Sequence, residues 1–462
     1  MGVFHRASIP LFLYSSPIPP ILFDDADHIG YSVKSLILPP KDFFIFMQFW
    51  KKLSAQEVSR HIDEALNNNI DFNQRVSLGI PASKLDGRVF YEQAAFLKDA
   101  PFLRAIVQNP NHIGCHTLSE SETFFRGTQQ IERELIEMVA VDIFKAQPGQ
   151  TDGYVAAGGT EANLQAIWIY RNYFIQEYHA THEDIAILAS DDTHYSVVKG
   201  ANLMHLEYIR IPVGENDRKI KEQELKHIIE TAKKNGKKYF IVLSNVATTM
   251  FGSVDDPDVY ARILTESNVP FKIHLDAAFG GFIYPIAHPD NNVNFTNEHI
   301  HSITLDAHKM LQAPYGTGIF LARKEWMRYV FTKEASYVNG MDITLSGSRS
   351  GANAIAIWMI LTAYGPYGWY EKINTLLYRT TWVCKQLNEM GIIYYRHPSL
   401  NIITIKSPYV SQQLADKYGL VPDAHHAHAQ WYKIVVMDHV EVEHLQPFLE
   451  ELKAYQARKK QI

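Results

Sequence analysis

Short β-branched runs alternate with segments of helical periodicity between residues 153 and about 322. The runs are IAIL at 185–188, YFIVLS at 239–244, FKIHLD at 271–276 and SITL at 302–305. Strands that are separated by helices pair in parallel, and the connecting helices then cover both faces of the sheet. The pattern therefore predicts an α/β fold with a mostly parallel central sheet.

The pattern changes toward the C-terminus. Helices are expected at 351–365, 369–390 and 441–456, and the short strand-like runs NIITIK and YKIVVM lie between the second and the third. Helices mixed with short strands in this way are typical of a smaller α+β unit. We therefore expect a large domain at 116–330 and a small C-terminal domain at 331–462.

The first 115 residues divide into two parts. Residues 1–46 are rich in proline and large apolar residues, whereas ordinary amphipathic sequence begins at Met47. Prolines interrupt the apolar stretch and no small-x-small site stands out, which disfavours a signal peptide. We expect residues 1–46 to be an extension that catalysis does not need, with Met47 as the native start. Residues 47–115 are predicted to form a helical arm, whose first helix, at 53–68, begins with a capping-box pattern at Ser54.

Composition and charge disfavour several classes of protein. The 462 residues carry a formal net charge of -6 without a long basic run, so neither nucleic acid nor a membrane is expected as a partner. Cys115 and Cys384 are too few for a disulfide framework, which fits the reducing cytoplasm. His425, His426 and His428 lie close together, but no cysteine or carboxylate completes a spaced ligand set, so no metal site is expected.

Two glycines precede an expected helix in the sequence GGTEAN at 158–163. The free backbone N–H groups at the start of a helix, together with the positive end of its dipole, bind phosphate groups. Gly159 permits a close approach of the backbone, and Thr160 adds a hydroxyl donor. Taken alone, the pattern is better explained by a glycine turn capped by Thr160.

Asp276 ends the apolar run FKIHLD and is followed by Ala277 and Ala278. A carboxylate at the end of a strand can hold a positive charge in the crevice where open α/β sheets bind their ligands. The two alanines leave room there for a flat group. For the aspartate alone, a helix N-cap is an equally good explanation.

Lys309 ends the sequence DAHK, which follows the run SITL. Burial beside Ala307 and Met310 would lower the pKa of this lysine and leave a neutral amine that can attack an aldehyde. A single lysine is more often a solvated surface charge. A phosphate cradle, a strand-end aspartate and a lysine, taken together, are what the chemistry of pyridoxal 5′-phosphate (PLP) requires.

These motifs resemble those of the pyridoxal-dependent (group II) amino-acid decarboxylases, a family with members that act on aromatic amino acids, glutamate or histidine. The resemblance extends over about residues 105–450, and the run GSRSG at 347–351 is similar to the compact microbial members. It implies an aspartate-aminotransferase-like (type I) PLP fold, assembled as a homodimer with its active site at the interface. The activity that it implies is decarboxylation of an L-amino acid to an amine and CO₂.

The resemblance also implies contacts to the cofactor. Lys309 would form the Schiff base with the cofactor aldehyde. Asp276 would pair with the protonated pyridine nitrogen and so keep the ring electron-withdrawing. Gly159, Thr160 and His308 would hold the phosphate.

Five further residues are implied around the ring and the substrate. His194, in DTHYS, would stack on one face of the ring, with Ala278 against the other face. Thr248, in ATTMFGSVDD, would lie close to the cofactor, and Ser348 would reach the phosphate of the neighbouring subunit. Tyr337, in EASYVNG, is a candidate for returning a proton to Cα, although a packed surface tyrosine is at least as good an explanation.

The sequence departs from the family at three places. No arginine stands in the run from Lys433 to His439, where members that act on glutamate or aromatic amino acids bind the substrate carboxylate. Met310 replaces a tryptophan of many aromatic-amino-acid members, and Ala247 replaces the first glycine of a GTT motif. The substrate and the residue that binds its carboxylate therefore stay open.

Other functions also stay open. They are another PLP-dependent carbon–carbon lyase similar to sphingosine-phosphate lyase, an aminotransferase, and a catalytically silent relative.

Overall fold

A computed structural model describes residues 47–69, 101–108, 111–113, 123–335, 339–425 and 427–459. Within these ranges the helices are α1 (Ala55–Asn68), α2 (Pro101–Val107), α3 (Arg126–Glu137), α4 (Gly159–Tyr178), α5 (Ser196–Met204), α6 (Glu222–Lys234), α7 (Pro257–Glu266), α8 (Tyr284–Ala287), α9 (Gly351–Glu389), α10 (Gln412–Tyr418) and α11 (Val442–Lys459). The strands are β1 (Asn111–Ile113), β2 (Thr151–Ala156), β3 (Ile185–Ser190), β4 (Glu207–Ile211), β5 (Tyr239–Asn245), β6 (Phe271–Asp276), β7 (Ile300–Asp306), β8 (Gly318–Arg323), β9 (Ser348–Ser350), β10 (Tyr394–Tyr395), β11 (Ile402–Lys406), β12 (Val421–Pro422) and β13 (Trp431–Val435).

In the part of the chain that the structure describes, seven strands form the central sheet in the order β2-β8-β7-β6-β5-β3-β4. Neighbouring strands are parallel except for β8, which runs antiparallel to both β2 and β7. The four runs identified from the sequence lie in β3, β5, β6 and β7. The prediction of a mostly parallel sheet is confirmed.

Helices cover both faces of this sheet. Ile187 on β3 packs in a cluster with residues of α4, and its neighbour Leu188 packs in a second cluster with residues of α3, α6 and α7. Successive residues of a strand point to opposite faces, so two covered faces require a strand that is apolar throughout. This requirement explains why β3 is buried at all six positions.

The C-terminal region forms a separate layer. Strands β10, β11, β13 and β12 make an antiparallel sheet in that order, and α10 and α11 pack with it around their own apolar cluster. The expected smaller α+β unit is therefore present, whereas the exact domain boundaries stay a prediction.

The two helices expected at 351–365 and 369–390 are present, and they adjoin at a kink. The helix α9 runs through both segments and is kinked at Gly365, which has a positive φ of 61°. Pro366 follows and has no N–H to donate to the carbonyl of Thr362, so the helical hydrogen-bond ladder is interrupted there. A Cβ at Gly365 would also lie 2.4 Å from the Cβ of Lys52, so glycine is required at the kink.

The segment from Met47 to Leu53 fills this kink. The indole Nε1 of Trp50 donates to the carbonyl of Leu361 at 2.6 Å, and the backbone N–H of Leu53 donates to the carbonyl of Thr362 at 2.9 Å. These bonds satisfy two carbonyls that the kink leaves without helical partners. The segment is thereby part of the folded core.

The N-terminal arm contains the predicted first helix. Ser54 caps α1 and forms the expected capping box with Glu57. The helix α3 ends at Glu137, and the chain continues as a π-helical turn from Met138 to Ile143. The arm also contributes a strand, since β1 pairs with β9. The described residues include no helix long and apolar enough to cross a membrane.

Candidate active site

A cavity of about 620 Å³ opens at the C-terminal ends of the parallel strands. Loops after β2, β3, β5, β6 and β7 line it, which is the place where open α/β sheets bind ligands. Eight of the ten residues singled out from the sequence lie in its wall: Gly159, Thr160, His194, Thr248, Asp276, Ala278, His308 and Lys309. Tertiary structure thus brings together side chains from a span of 151 residues.

The glycine turn of GGTEAN stands at one end of the cavity. α4 begins at Gly159, so the free N–H groups of its first turn belong to residues of the cavity wall. A Cβ at Gly159 would lie 2.9 Å from Oδ2 of Asp306 and 3.2 Å from Cβ of Ala278. Glycine is therefore needed here for close packing.

Asp276 ends β6 and is 7% exposed. Its Oδ2 accepts a hydrogen bond from Nδ2 of Asn163 at 2.7 Å, and its Oδ1 accepts one from the backbone N–H of Ala278 at 3.1 Å. The carboxylate is fixed in orientation by these two donors and can hold a cation in the cavity.

His194 lies in the loop between β3 and α5. Its Nδ1 is 2.9 Å from the hydroxyl of Ser196 and also accepts the backbone N–H of Ser196 at 3.2 Å. Burial lowers the pKa of the imidazole from its usual value, so the ring is neutral at neutral pH. A neutral, hydrogen-bonded ring suits a stacking role.

Lys309 shares its end of the cavity with Asp306 and His308. Nζ of Lys309 is 3.1 Å from Oδ2 of Asp306, and Nε2 of His308 is 3.7 Å from the same oxygen. Among the described residues, Oδ1 of Asp306 and Nδ1 of His308 are buried without a hydrogen-bond partner. Buried polar atoms rarely stay unpaired, so these two groups fit a site that is completed by a polar ligand.

Two of these contacts were missed at the level of sequence. Asn163 is the last residue of GGTEAN, and Asp306 is the first residue of DAHK. Both lie inside motifs whose other residues, the glycines, Thr160, His308 and Lys309, were the ones assigned a function. Their partners are distant in sequence or depend on the turn geometry, so the motifs by themselves did not assign them a function.

The loop after β5 carries Thr248, which is 2% exposed and shares a hydrogen bond of 2.7 Å with the hydroxyl of Ser253. The preceding Ala247 has a φ of 72°, in the left-handed region that favours glycine. A glycine, as in the GTT motif of the resembling family, would adopt this conformation without strain, whereas Ala247 adopts it with a Cβ.

A lysine approaches the cavity rim from the C-terminal sheet. Nζ of Lys433, on β13, donates to the carbonyl of Thr249 at 2.9 Å, and Thr249 lines the cavity. Burial, and then the nearby charge of Lys309, lower the pKa of Lys433 from its usual value. A cation therefore does stand near the site on this strand, although no arginine does.

Two of the ten candidates are not placed in the cavity. Ser348, at the start of β9, is exposed and does not line the cavity of its own protomer. Its predicted contact with a neighbouring subunit stays a prediction. Tyr337 lies outside the described residues, as do residues 1–46.

Comparison with known proteins agrees with this geometry. Residues 128–391 match the model of the pyridoxal-dependent decarboxylase conserved domain. A tryptophan decarboxylase of Clostridium sporogenes is 53% identical over 409 residues, which is 88% of this chain and 98% of that protein. An L-aspartate decarboxylase of Thermococcus kodakarensis is 27% identical over 87% of this chain and 97% of that protein.

Solved structures share the fold. L-methionine decarboxylase from Streptomyces sp. 590 superposes with a TM-score of 0.64 at 17% identity, covering 86% of this chain and 93% of that one. A sphingosine-1-phosphate lyase from Burkholderia pseudomallei gives a TM-score of 0.62 at 17% identity, covering 73% and 79%. At this identity the two structures support the type I PLP fold and nothing finer. With the family match over more than half of its length, the chain belongs to the pyridoxal-dependent decarboxylases and is an enzyme that decarboxylates an amino acid with PLP as its cofactor.

Proposed function

We propose that the substrate is L-tryptophan. The observation that carries this proposal is the 53% identity, over 88% of this chain, to a protein named tryptophan decarboxylase. Relatives named for aspartate, histidine or tyrosine/aspartate are 27–30% identical, so they support the reaction type more than the substrate.

The lining of the cavity supports an aromatic substrate. Phe279, Tyr195 and Leu345 contribute apolar surface. Among the described residues of the cavity wall none is an arginine. An indole ring that covers the apolar part of the wall gains about 25 cal/mol of free energy for each Å² that it removes from water.

The substrate test is a comparison of amino acids with purified PLP-loaded enzyme. L-tryptophan, L-tyrosine, L-phenylalanine, L-histidine and L-aspartate are supplied separately, and CO₂ and the amine are quantified by mass spectrometry. We expect the highest kcat/KM for tryptophan, with tryptamine and CO₂ in equal amounts. A higher kcat/KM for any of the other four would contradict the tryptophan proposal.

The same assay distinguishes the reaction types left open by the sequence. An aminotransferase would yield a keto acid, and a carbon–carbon lyase of the sphingosine-phosphate type would yield an aldehyde. Decarboxylation yields neither of these as its main product, because Cα is protonated after CO₂ leaves.

We propose that Lys309 attaches the cofactor and that Asp276 faces its pyridine nitrogen. When bound, PLP supplies an aldehyde for the substrate amine and a ring that accepts the electron pair of the broken Cα–carboxylate bond. The Asp276 carboxylate stabilises a protonated ring nitrogen electrostatically. Asp306, at 3.1 Å from Nζ of Lys309, is placed to hold the amine when the substrate displaces it.

The other predicted cofactor contacts involve the phosphate and the two faces of the ring. Gly159, Thr160 and His308 would bind the phosphate at the start of α4. His194 and Ala278 would lie on opposite faces of the ring, with Thr248 beside it. These contacts restrict the orientation of the ring and so of the bond to be broken. Tyr337 remains the candidate for proton return to Cα.

We further propose a cytoplasmic homodimer with its active sites at the interface. The exposed position of Ser348, outside its own protomer's cavity, supports a role in a partner's site. Cys384 is a free, buried thiol, which is compatible with a reducing compartment. Light scattering of the purified protein and fractionation of the source cells test these two statements.

A further inference from the structure

A ladder of polar side chains lies buried between α4 and the strands β6 and β7. Asn163 and Tyr170 are two turns apart on α4, and His274 is two residues before Asp276 on β6, so each pair shares a face. Ser302 on β7 lies between Tyr170 and His274. With Tyr170, His274 and Ser302 fully buried, the ladder leads from the interior of the protein to the cavity.

The contacts are continuous. Tyr170 and Ser302 share a short hydrogen bond, and the Ser302 hydroxyl is 2.7 Å from Nδ1 of His274. Nε2 of His274 is 3.0 Å from Oδ1 of Asn163 and also 3.0 Å from the hydroxyl of Thr304, which can accept from the same N–H. Nδ2 of Asn163 is 2.7 Å from Oδ2 of Asp276.

Hydrogen-bond chemistry determines the direction of this ladder. An ionised Asp276 can only accept, so the Asn163 atom beside it must be the N–H group. Oδ1 of Asn163 then faces His274, whose Nε2 must carry the proton. Nδ1 of His274 is left as an acceptor for the Ser302 hydroxyl, which in turn accepts from Tyr170. Each donor therefore points toward the carboxylate.

Asn163 also contacts Ser196, which follows the loop of His194 between β3 and α5. Its Nδ2 is 3.1 Å from the hydroxyl of Ser196, and that hydroxyl is 2.9 Å from Nδ1 of His194. Since Nδ1 of His194 already accepts the backbone N–H of Ser196, the hydroxyl donates to the same acceptor. One amide thus connects Asp276 with His194.

We propose that His274 is a positioning residue for the active site: its Nε2–H holds the Asn163 amide in the orientation that donates to both Asp276 and Ser196. The inference rests on the proposed pairing of Asp276 with the pyridine nitrogen. If the amide were reversed, its oxygen would face the carboxylate and its N–H would face an N–H. Without the His274 donor, Oδ1 of Asn163 loses its bond and the amide loses the interaction that selects one of its two orientations.

A readout of cofactor protonation tests this role. The visible absorbance of the bound cofactor is titrated with pH in the holoenzyme of three variants: His274→Leu, His274→Gln and Asp276→Asn. Leucine removes the donor, whereas glutamine can place an N–H near the position of Nε2. We expect His274→Leu to shift the titration midpoint by about 0.5 to 1 pH unit, in the same direction as Asp276→Asn. The variant loses the hydrogen bond from His274 to Asn163, and the energy of one such bond corresponds to a shift of this size. His274→Gln should restore the midpoint to within a few tenths of a unit.

The chain offers a control histidine outside the ladder, the partly buried His397. Burial lowers the pKa of both His397 and His274 to about 4. The ring of His397 packs against Tyr284, and His397 does not line the cavity. His397→Leu should lower stability without moving the absorbance midpoint. An equal shift in His397→Leu and His274→Leu would overturn the positioning role, and so would an unchanged midpoint in His274→Leu.

A second variant covers the case in which His274→Leu does not fold. Asn163→Leu is similar in size and removes the donating N–H without adding a charge, so it should shift the midpoint in the same direction as His274→Leu. An unchanged midpoint in Asn163→Leu would contradict the inference. An unchanged midpoint in Asp276→Asn would instead contradict the proposed role of Asp276, so the two failures are distinguishable.

Discussion

At the scale of single residues, the site depends on which of its buried groups carry charge. Nζ of Lys309 lies 3.1 Å from the carboxylate of Asp306. A second lysine, Lys272, has its pKa lowered by burial to about 8 and therefore loses its proton more readily than an exposed lysine. Lys272 lies over the rings of Tyr173 and Trp326 rather than in the cavity wall. Position in the cavity, and not basicity alone, therefore distinguishes the proposed cofactor lysine.

The first prediction concerns covalent attachment. Lys309→Ala should fold but lose the PLP adduct that borohydride reduces, because the attacking amine is gone. Mass spectrometry of the reduced protein identifies the labelled lysine. Lys272→Met is the matched control and should keep the adduct on Lys309, since Lys272 is remote from the cavity. Full labelling of the Lys309→Ala variant at another lysine would show that the assignment is wrong.

The second prediction concerns the charge of Asp276. Asp276→Asn keeps the shape of the side chain but cannot stabilise a protonated ring nitrogen. The variant should bind PLP and lose turnover by a factor on the order of 10²–10³, as expected for removal of a transition-state charge interaction. Steady-state kinetics and a PLP binding titration measure the two effects separately. Near-normal kcat would remove Asp276 from this role.

The third prediction concerns acid stability. Burial lowers the pKa of His274 to about 4, whereas an unfolded chain has a histidine pKa of about 6.5. The unfolded state therefore binds the proton first, so the contribution of the neutral histidine is complete above pH 6.5 and is lost as the pH falls toward 4. Between pH 7 and 4.5 this loss amounts to about 2 to 3 kcal/mol. In the apo protein, His274→Gln should lose that much less free energy of unfolding over the same interval, measured by urea denaturation. An unchanged pH dependence would mean that His274 is not neutral in the fold.

At the scale of elements, the kink of α9 ties the N-terminal segment to the core. Gly365 and Pro366 interrupt the helix, and the segment from Met47 to Leu53 supplies the missing donors. Asp142 in turn accepts the backbone N–H groups of Gln48, Phe49 and Trp50.

The fourth prediction follows from these contacts. A protein that begins at Met47 should fold and turn over like the full chain, because residues 1–46 are expected to be dispensable. Within it, Trp50→Ala should lower the free energy of unfolding by about 3–5 kcal/mol, since the indole is 1% exposed. Trp50→Phe keeps most of the ring and should lose about 1–3 kcal/mol for the unpaired carbonyl of Leu361. Denaturant unfolding measures both. An insoluble or inactive protein starting at Met47 would contradict the expectation for residues 1–46.

At the scale of the whole molecule, the proposed homodimer would bring Ser348 of one protomer to the site of its partner. β9 carries Ser348 and Arg349, and Arg349 forms a buried ion pair with Glu132 on α3. This pair holds the strand against the large domain while Ser348 stays exposed.

The fifth prediction tests sharing by mixing two inactive proteins. Lys309→Ala and Ser348→Asp are each expected to be nearly inactive, the second because a carboxylate repels the phosphate. If Ser348 acts on the partner's site, a mixed dimer contains one site with both defects and one intact site. Co-expression should then restore about a quarter of wild-type activity, because half of the dimers are mixed. No recovery in purified mixed dimers would place Ser348 in the site of its own protomer.

Much of the architecture was determined by the sequence alone. The runs in β3, β5, β6 and β7 predicted the parallel sheet because strand and helix periodicities are local properties of residue spacing. The motifs that contain Gly159, Asp276 and Lys309 marked the cavity for a similar reason, since each stands where a strand ends and a turn begins.

Tertiary structure alone decided the interactions between those motifs. Asn163 and His274 are 111 residues apart, and nothing in the local pattern of either indicates the other. The same holds for Trp50 and Leu361, 311 residues apart, whose hydrogen bond satisfies a carbonyl beside the kink of α9. Local spacing specifies which way a side chain faces, but a buried polar atom takes its partner from whatever the packed fold brings within about 3 Å.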